Sequence, residues 1–314
     1  MYKSNVFLTV ALAFGLLLAG CDSSGSSNEP DGPPVVEVTA SDHTSFDISA
    51  SEISSGWTTF RFVNDTHAVH FVVLEKMPVV DGEQKTVADS KAEVVPVFQN
   101  VMDDINGKDP SFPDAGFQLP EWYSDVVFVG GPGLTSPETT SRTTVNLDPG
   151  TYVVECYVKT ADGVFHSTED MIEGLTVTES TNGAEPPRSS LQLGISSDNG
   201  ISLNGAIGEP GQHTIAVDFN DQTAYAHFLG HDVHLVRLGE DADMEALRAW
   251  MNWAAPGGLA EPAPSGVEFI GGAQDMPGGS TTYVSATLES GDYAWIAEVP
   301  KPDEKGMLKT FTVE

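Results

Sequence analysis

The chain has 314 residues, and 46 acidic against 14 basic side chains give a formal net charge of −32. That balance excludes nucleic acid and anionic lipid headgroups as partners, because both are bound through Lys and Arg. Frequent Gly (31) and Pro (20), abundant β-branched and aromatic residues and no long amphipathic helical pattern point to an all-β fold, with the carboxylates spread over a solvated surface suited to high salt.

The chain opens with Lys3, an apolar run from Val6 to Leu18 and then Leu18-Ala19-Gly20-Cys21. This is a secretory signal over residues 1–20 ending in a lipobox, too short and too small-ended for a stable membrane span. It predicts cleavage before Cys21 and lipid attachment to that cysteine. The protein is then held on a membrane of the cell envelope, on its periplasmic or cell-surface face. Residues 21–34, beginning Asp22-Ser23-Ser24-Gly25, read as a flexible tether. With Cys21 so used, Cys156 has no intrachain partner.

Beyond the tether the sequence repeats itself. His67-Ala68-Val69-His70 pairs with His231-Asp232-Val233-His234, and the strand Val126 to Gly131 with Val267 to Gly272. Farther on, Thr143 to Leu147 pairs with Val284 to Leu288, Asp148 to Tyr152 with Glu289 to Tyr293, and Met171 to Val177 with Met307 to Val313. Matched blocks in one order indicate duplication. They predict two tandem Greek-key β-sandwich domains at 35–180 and 190–314, joined by a linker at 181–189. Insertions at 78–125 and 240–266 carry short helices. Asp243 caps one with Met244, Leu247, Trp250 and Met251 on its inner face, and Ser90 with Glu93 suggests a capping box in the other, against which Pro96 counts.

In the first half Cys156 ends the strand Tyr152 to Cys156, and His166 and Met171 follow in one loop, with His70 far upstream at the start of the apolar strand Phe71 to Leu74. A thiolate, two imidazoles and a weak thioether form the soft, nearly trigonal set that suits copper in both oxidation states. Gly150-Thr151-Tyr152 through Cys156, then Asp162-Gly163-Val164-Phe165-His166 and Met171, resembles cupredoxins, and in particular exported cupredoxin-like proteins. The resemblance implies copper, one per chain, held by His70, Cys156, His166 and Met171. His67 is an alternative ligand in the preceding turn. Asp170 stands where the family has a glycine.

In the second half, aligning Tyr152 with Tyr293 puts Ala297 at the cysteine position, and aligning the methionines puts Pro302 at the histidine position. Type 1 copper cannot form there. His227, His231 and His234 lie close enough in sequence to hold zinc or copper in another geometry, although such histidines more often occupy turns or surface. The expected function is electron transfer with a redox partner protein, or copper holding, at the cell envelope. A metal-free binding or structural lipoprotein is the alternative. An enzyme of the multicopper oxidase or nitrite-reductase kind is disfavoured, because Glu155 and Tyr157 flank Cys156 where those families place a histidine.

Overall fold

Inward and outward residues alternate along the strands, which fixes the sheet faces. In the computed structural model, which describes residues 32–42, 45–107, 118–205, 207–225 and 230–314, the longest strand, β3 (Glu52–Asn64), turns Phe60, Phe62 and Asn64 inward. The first half also holds β1 (Val35–Asp42), β2 (Ser45–Ile48), β4 (Val73–Lys76), the hairpin β5 (Val79–Val80) and β6 (Glu83–Gln84), β7 (Val127–Phe128), β8 (Thr139–Leu147), β9 (Gly150–Glu155) and β10 (Ile172–Thr181). One sheet runs β2-β1-β3-β8 and the other β10-β9-β4-β7, with the start of β3 on its edge. Gly56, at φ +113, sits where β3 leaves β10 for β8, and a Cβ there would meet Asn182 Oδ1 at 2.6 Å. Phe60, Phe62 and Val145 from one sheet pack against Leu74, Tyr152 and Leu175 from the other.

The second half repeats this order with β11 (Leu191–Ser196), β12 (Gly200–Asn204), β13 (Gly211–Phe219), β14 (Val233–Leu238), β15 (Val267–Ala273), β16 (Ser280–Leu288), β17 (Gly291–Ile296) and β18 (Leu308–Val313). Its sheets run β12-β11-β13-β16 and β15-β14-β17-β18 around a core of Ile195, Ile215, Leu235 and Trp295. The architecture is therefore all-β and cupredoxin-like, as the sequence predicts. The equivalent strands β8 and β16 pair antiparallel, so one sheet crosses both halves, and residues 32–314 form a single unit. Equivalent tyrosines brace the two halves alike: Tyr152 donates to Asp148 O at 2.6 Å and Tyr293 to Glu289 O at 3.0 Å.

The sequence alignment of the halves needs one correction. Lys76 pairs with Tyr152 and Arg237 with Tyr293, so Val73 corresponds to His234 and His70 to His231. The glycines agree, since an added Cβ at Gly131 would strike Val72 O, and at Gly272 Val233 O, each at 2.2 Å. The H-x-V-H blocks are thus three residues out of step. The other end aligns as read: Met171 donates its N–H to His166 O and Met307 to Pro302 O, while Cys156 and Ala297 donate theirs to the carbonyls of Met171 and Met307.

The helices also differ in detail. α1 (Val95–Ile105) follows a helical turn, Val87–Asp89, and a π-helical turn, Ser90–Val94. The capping box is Thr86 with Asp89 and not Ser90 with Glu93, and Pro96 lies just after the π-helical turn, at the start of α1. α2 (Met244–Trp250) begins as read, with Asp243 Oδ1 accepting from the N–H groups of Glu245 and Ala246 at 3.0 Å.

Candidate metal centre

Three separate segments deliver the donors. His70 precedes β4 and exchanges backbone hydrogen bonds with Thr135, so it lies on a bridge outside the strand it was expected to begin. Cys156 directly follows β9. His166 opens a 3₁₀ turn, His166–Glu169, with its N–H donated to Val158 O at 2.9 Å. All three are fully buried. Cys156 Sγ lies 3.7 Å from His70 Nδ1 and 4.0 Å from His166 Nδ1, and the two Nδ1 atoms are 3.1 Å apart.

The distal nitrogen of His70 fixes which of its ring nitrogens turns a lone pair inward. His70 Nε2 is 2.9 Å from Thr66 Oγ1, whose own proton goes to Asn64 Oδ1 at 2.8 Å. The Asn64 amide donates to Ala68 O and Thr135 O, each at 2.8 Å, which sets its orientation. Thr66 therefore accepts from His70 Nε2–H. With Nε2 protonated, His70 turns its Nδ1 lone pair inward toward His166 Nδ1 at 3.1 Å, a gap that either a proton on His166 Nδ1 or a cation between the two rings would bridge. His166 Nε2 lies 2.9 Å from the Glu261 carboxylate, close enough for an ion pair when the ring is protonated but outside hydrogen-bond geometry, so this contact does not set the His166 tautomer.

The donor set fits a metal on distance as well. The point equidistant from Sγ and both Nδ1 atoms, the circumcentre of a triangle with sides of 3.1, 3.7 and 4.0 Å, lies about 2.1 Å from each. Metal–nitrogen bonds of about 2.0–2.1 Å and metal–sulfur bonds of about 2.3 Å lie in that range. Burial pushes the Cys156 thiol up to about 12 despite backbone N–H groups of Phe71 and Val158 that favour the thiolate. A bound cation would have to displace that proton.

Met171 closes the loop, fully buried, linked by its backbone to both His166 and Cys156. Asp170 before it adopts φ +81, the left-handed conformation that favours glycine. His67 is exposed in the turn before His70 and does not join the group. Cys21 lies outside the described residues, as does His227.

The sequence did not disclose Asn64, Thr66 and Glu261 around the site. Glu261 comes from the second half: Lys159 N–H donates to Leu259 O and Glu261 N–H to Lys159 O, docking that insertion beside His166. No local pattern announces such a contact.

A second donor group, Asp232, His234 and Glu298, lies in the second half. Its hydrogen bonds leave little for a metal. Asp232 takes His234 Nε2 on one oxygen and the Glu298 N–H on the other, each at 2.6 Å. His234 Nδ1 accepts the Leu134 N–H at 3.0 Å, tying the halves together. His231 turns its Nε2 to Asp221 O at 2.7 Å. The described histidines of the second half therefore do not assemble the alternative site.

No family model and no curated protein sequence matches the chain. Among solved structures it is similar to a reduced auracyanin from Roseiflexus castenholzii, with 19% identity over 47% of this chain and 99% of that one at a TM-score of 0.26. Auracyanin A, a blue copper protein from Chloroflexus aurantiacus, matches at 20% identity over 47% of this chain and 100% of that one, TM-score 0.28. A copper nitrite reductase from Nitrosomonas europaea matches at 10% identity over 90% of this chain and 93% of that one, TM-score 0.21. The strand order and pairing, and not these superpositions, carry the fold assignment.

Proposed function

We propose that the protein is a copper protein of the cell envelope that transfers electrons to or from a partner protein, or holds copper, through one mononuclear site in its first half. The observation that carries this reading is the convergence of Cys156 Sγ with two buried imidazole Nδ1 atoms, that of His70 turned inward by the Thr66 contact at its other nitrogen. His70, Cys156, His166 and Met171 would hold the metal. Copper would supply one-electron chemistry. The chain's part is to hold the His70 imidazole in one tautomer and to keep water out. Donors fixed before the metal arrives need little rearrangement between oxidation states. The halves are proposed as two tandem domains, at 35–180 and 190–314, that share one sheet, the second without a type 1 site, since Ala297 and Pro302 stand at the cysteine and histidine positions. Anchoring through a lipid on Cys21 belongs to the same proposal, and Cys21→Ala should release the protein from membranes.

Copper titration of the metal-free protein tests the reading. Cu(II) should produce an intense visible thiolate-to-copper band at one equivalent, absent in Cys156→Ser and retained in His67→Ala. A band that survives Cys156→Ser, or disappears in His67→Ala, overturns the ligand set.

A further inference from the structure

Glu155 and Tyr157, on either side of Cys156, both line a cavity of about 660 Å³ to which the two halves contribute. Six carboxylates line it: Glu75, Glu121 and Glu155 from the first half, Asp232, Asp275 and Glu298 from the second. No Lys or Arg lines it among the described residues, and the nearby Lys159 ammonium is turned away to Trp253 O at 2.7 Å. Phe98, Tyr123, Phe165 and Trp253 supply aromatic walls. We propose that this cavity binds an organic cation bearing two or more ammonium groups.

The ligand class follows from what the walls offer. A wall on which carboxylates outnumber cations, with Lys159 acting only on Glu298, disfavours an anion and favours a cation. A small metal ion would need several donors converging on one point, yet Asp232, His234 and Glu298 are the only such group among the described residues outside the copper site. Both Asp232 oxygens and both His234 nitrogens in that group are already engaged. The remaining carboxylates are spread around the cavity on two halves, which suits separated charges on one flexible molecule. Aromatic faces add cation–π attraction for ammonium groups, and the volume lies in the range of small-molecule sites. The Asp275 carboxylate meets no donor from another residue among the described residues. Burial pushes Asp275 up to about 7 and raises Glu75 and Glu298 well above the usual carboxylate range, the last in spite of the opposing charge of Lys159.

The reading is independent of copper, so the metal-free protein serves for the test. Spermidine, and separately Mn(II), would be titrated calorimetrically in about 0.5 M NaCl, which shortens the screening length to a few ångströms and suppresses loose association with the acidic surface. Spermidine should bind one per chain. Asp275→Asn should weaken it at least tenfold, and Ala224→Trp, which adds bulk at the exposed rim without changing charge, should abolish it. Glu173→Gln with Glu179→Gln, which removes two exposed charges elsewhere, should change nothing. Absence of spermidine binding, several equivalent sites weakened equally by the Glu173/Glu179 variant, or indifference to both cavity variants would each overturn the proposal. So would a single Mn(II) site that is lost in Asp275→Asn while spermidine does not bind.

Discussion

Replacing Asp275 with Asn should make the protein more stable at alkaline pH, because the wild-type side chain is an acid in the wrong solvent. Burial, and then the neighbouring charge of Asp232, push its carboxyl from 3.8 up to about 7. Between those values the folded chain keeps a proton that the unfolded chain has lost. The stabilisation is therefore complete below about pH 4 and disappears as the pH rises through about 7. At about 1.4 kcal/mol per pKa unit, this linkage removes roughly 2–3 kcal/mol between pH 5 and pH 8. For a chain of this size that is a fall in Tm on the order of 5 °C. Asparagine keeps the shape and cannot ionise. Thermal melts at several pH values in about 0.5 M NaCl, which mutes the surface carboxylates, should show a shallower decline for the variant and a higher Tm than wild type at pH 8. Glu155, also raised to about 7, retains its own share of the decline. Equal slopes for the two proteins would refute the claim that half-buried Asp275 holds its proton up to about pH 7.

Other outcomes follow from the same structure. With 46 acidic against 14 basic residues, surface repulsion dominates, so Tm should climb steeply as NaCl is raised from low concentration, and a flat or falling curve would mean the carboxylates are already compensated. Gly131→Ala should cost about 3 kcal/mol or more in denaturant unfolding, because its φ is +125 and the new methyl would lie 2.2 Å from Val72 O. His70→Ala should abolish copper binding while His231→Ala, at the equivalent place in the second half, leaves it intact.

The parts of the account legible in sequence are those written in local order. Cys156, His166 and Met171 share one loop, and their spacing survives unchanged in the structure, where Met171 bonds through its backbone to both of the others. The duplicated blocks likewise predicted a repeated strand order. Register was less legible. H-x-V-H occurs in both halves, and its apparent match misaligned them by three residues, because register is decided by the partner strand and by Gly131 and Gly272, which let a neighbouring carbonyl approach. Thr86 and Ser90 both stand three residues before an acid, so sequence alone could not choose the cap. Least legible were the acids that leave the surface. A charge count spreads them all into solvent, whereas Glu75, Asp232 and Glu298 are buried and Glu261 reaches His166 from the other half. Each of those positions depends on chain segments far apart in sequence.

The central claim is that Cys156, His70 and His166 bind one copper together, and X-ray absorption at the copper edge of protein loaded with one equivalent tests it most directly. Copper held as proposed should show one sulfur and two imidazole nitrogens among its neighbours, with the sulfur missing from Cys156→Ser. A shell of nitrogen and oxygen alone in the wild-type protein would contradict it.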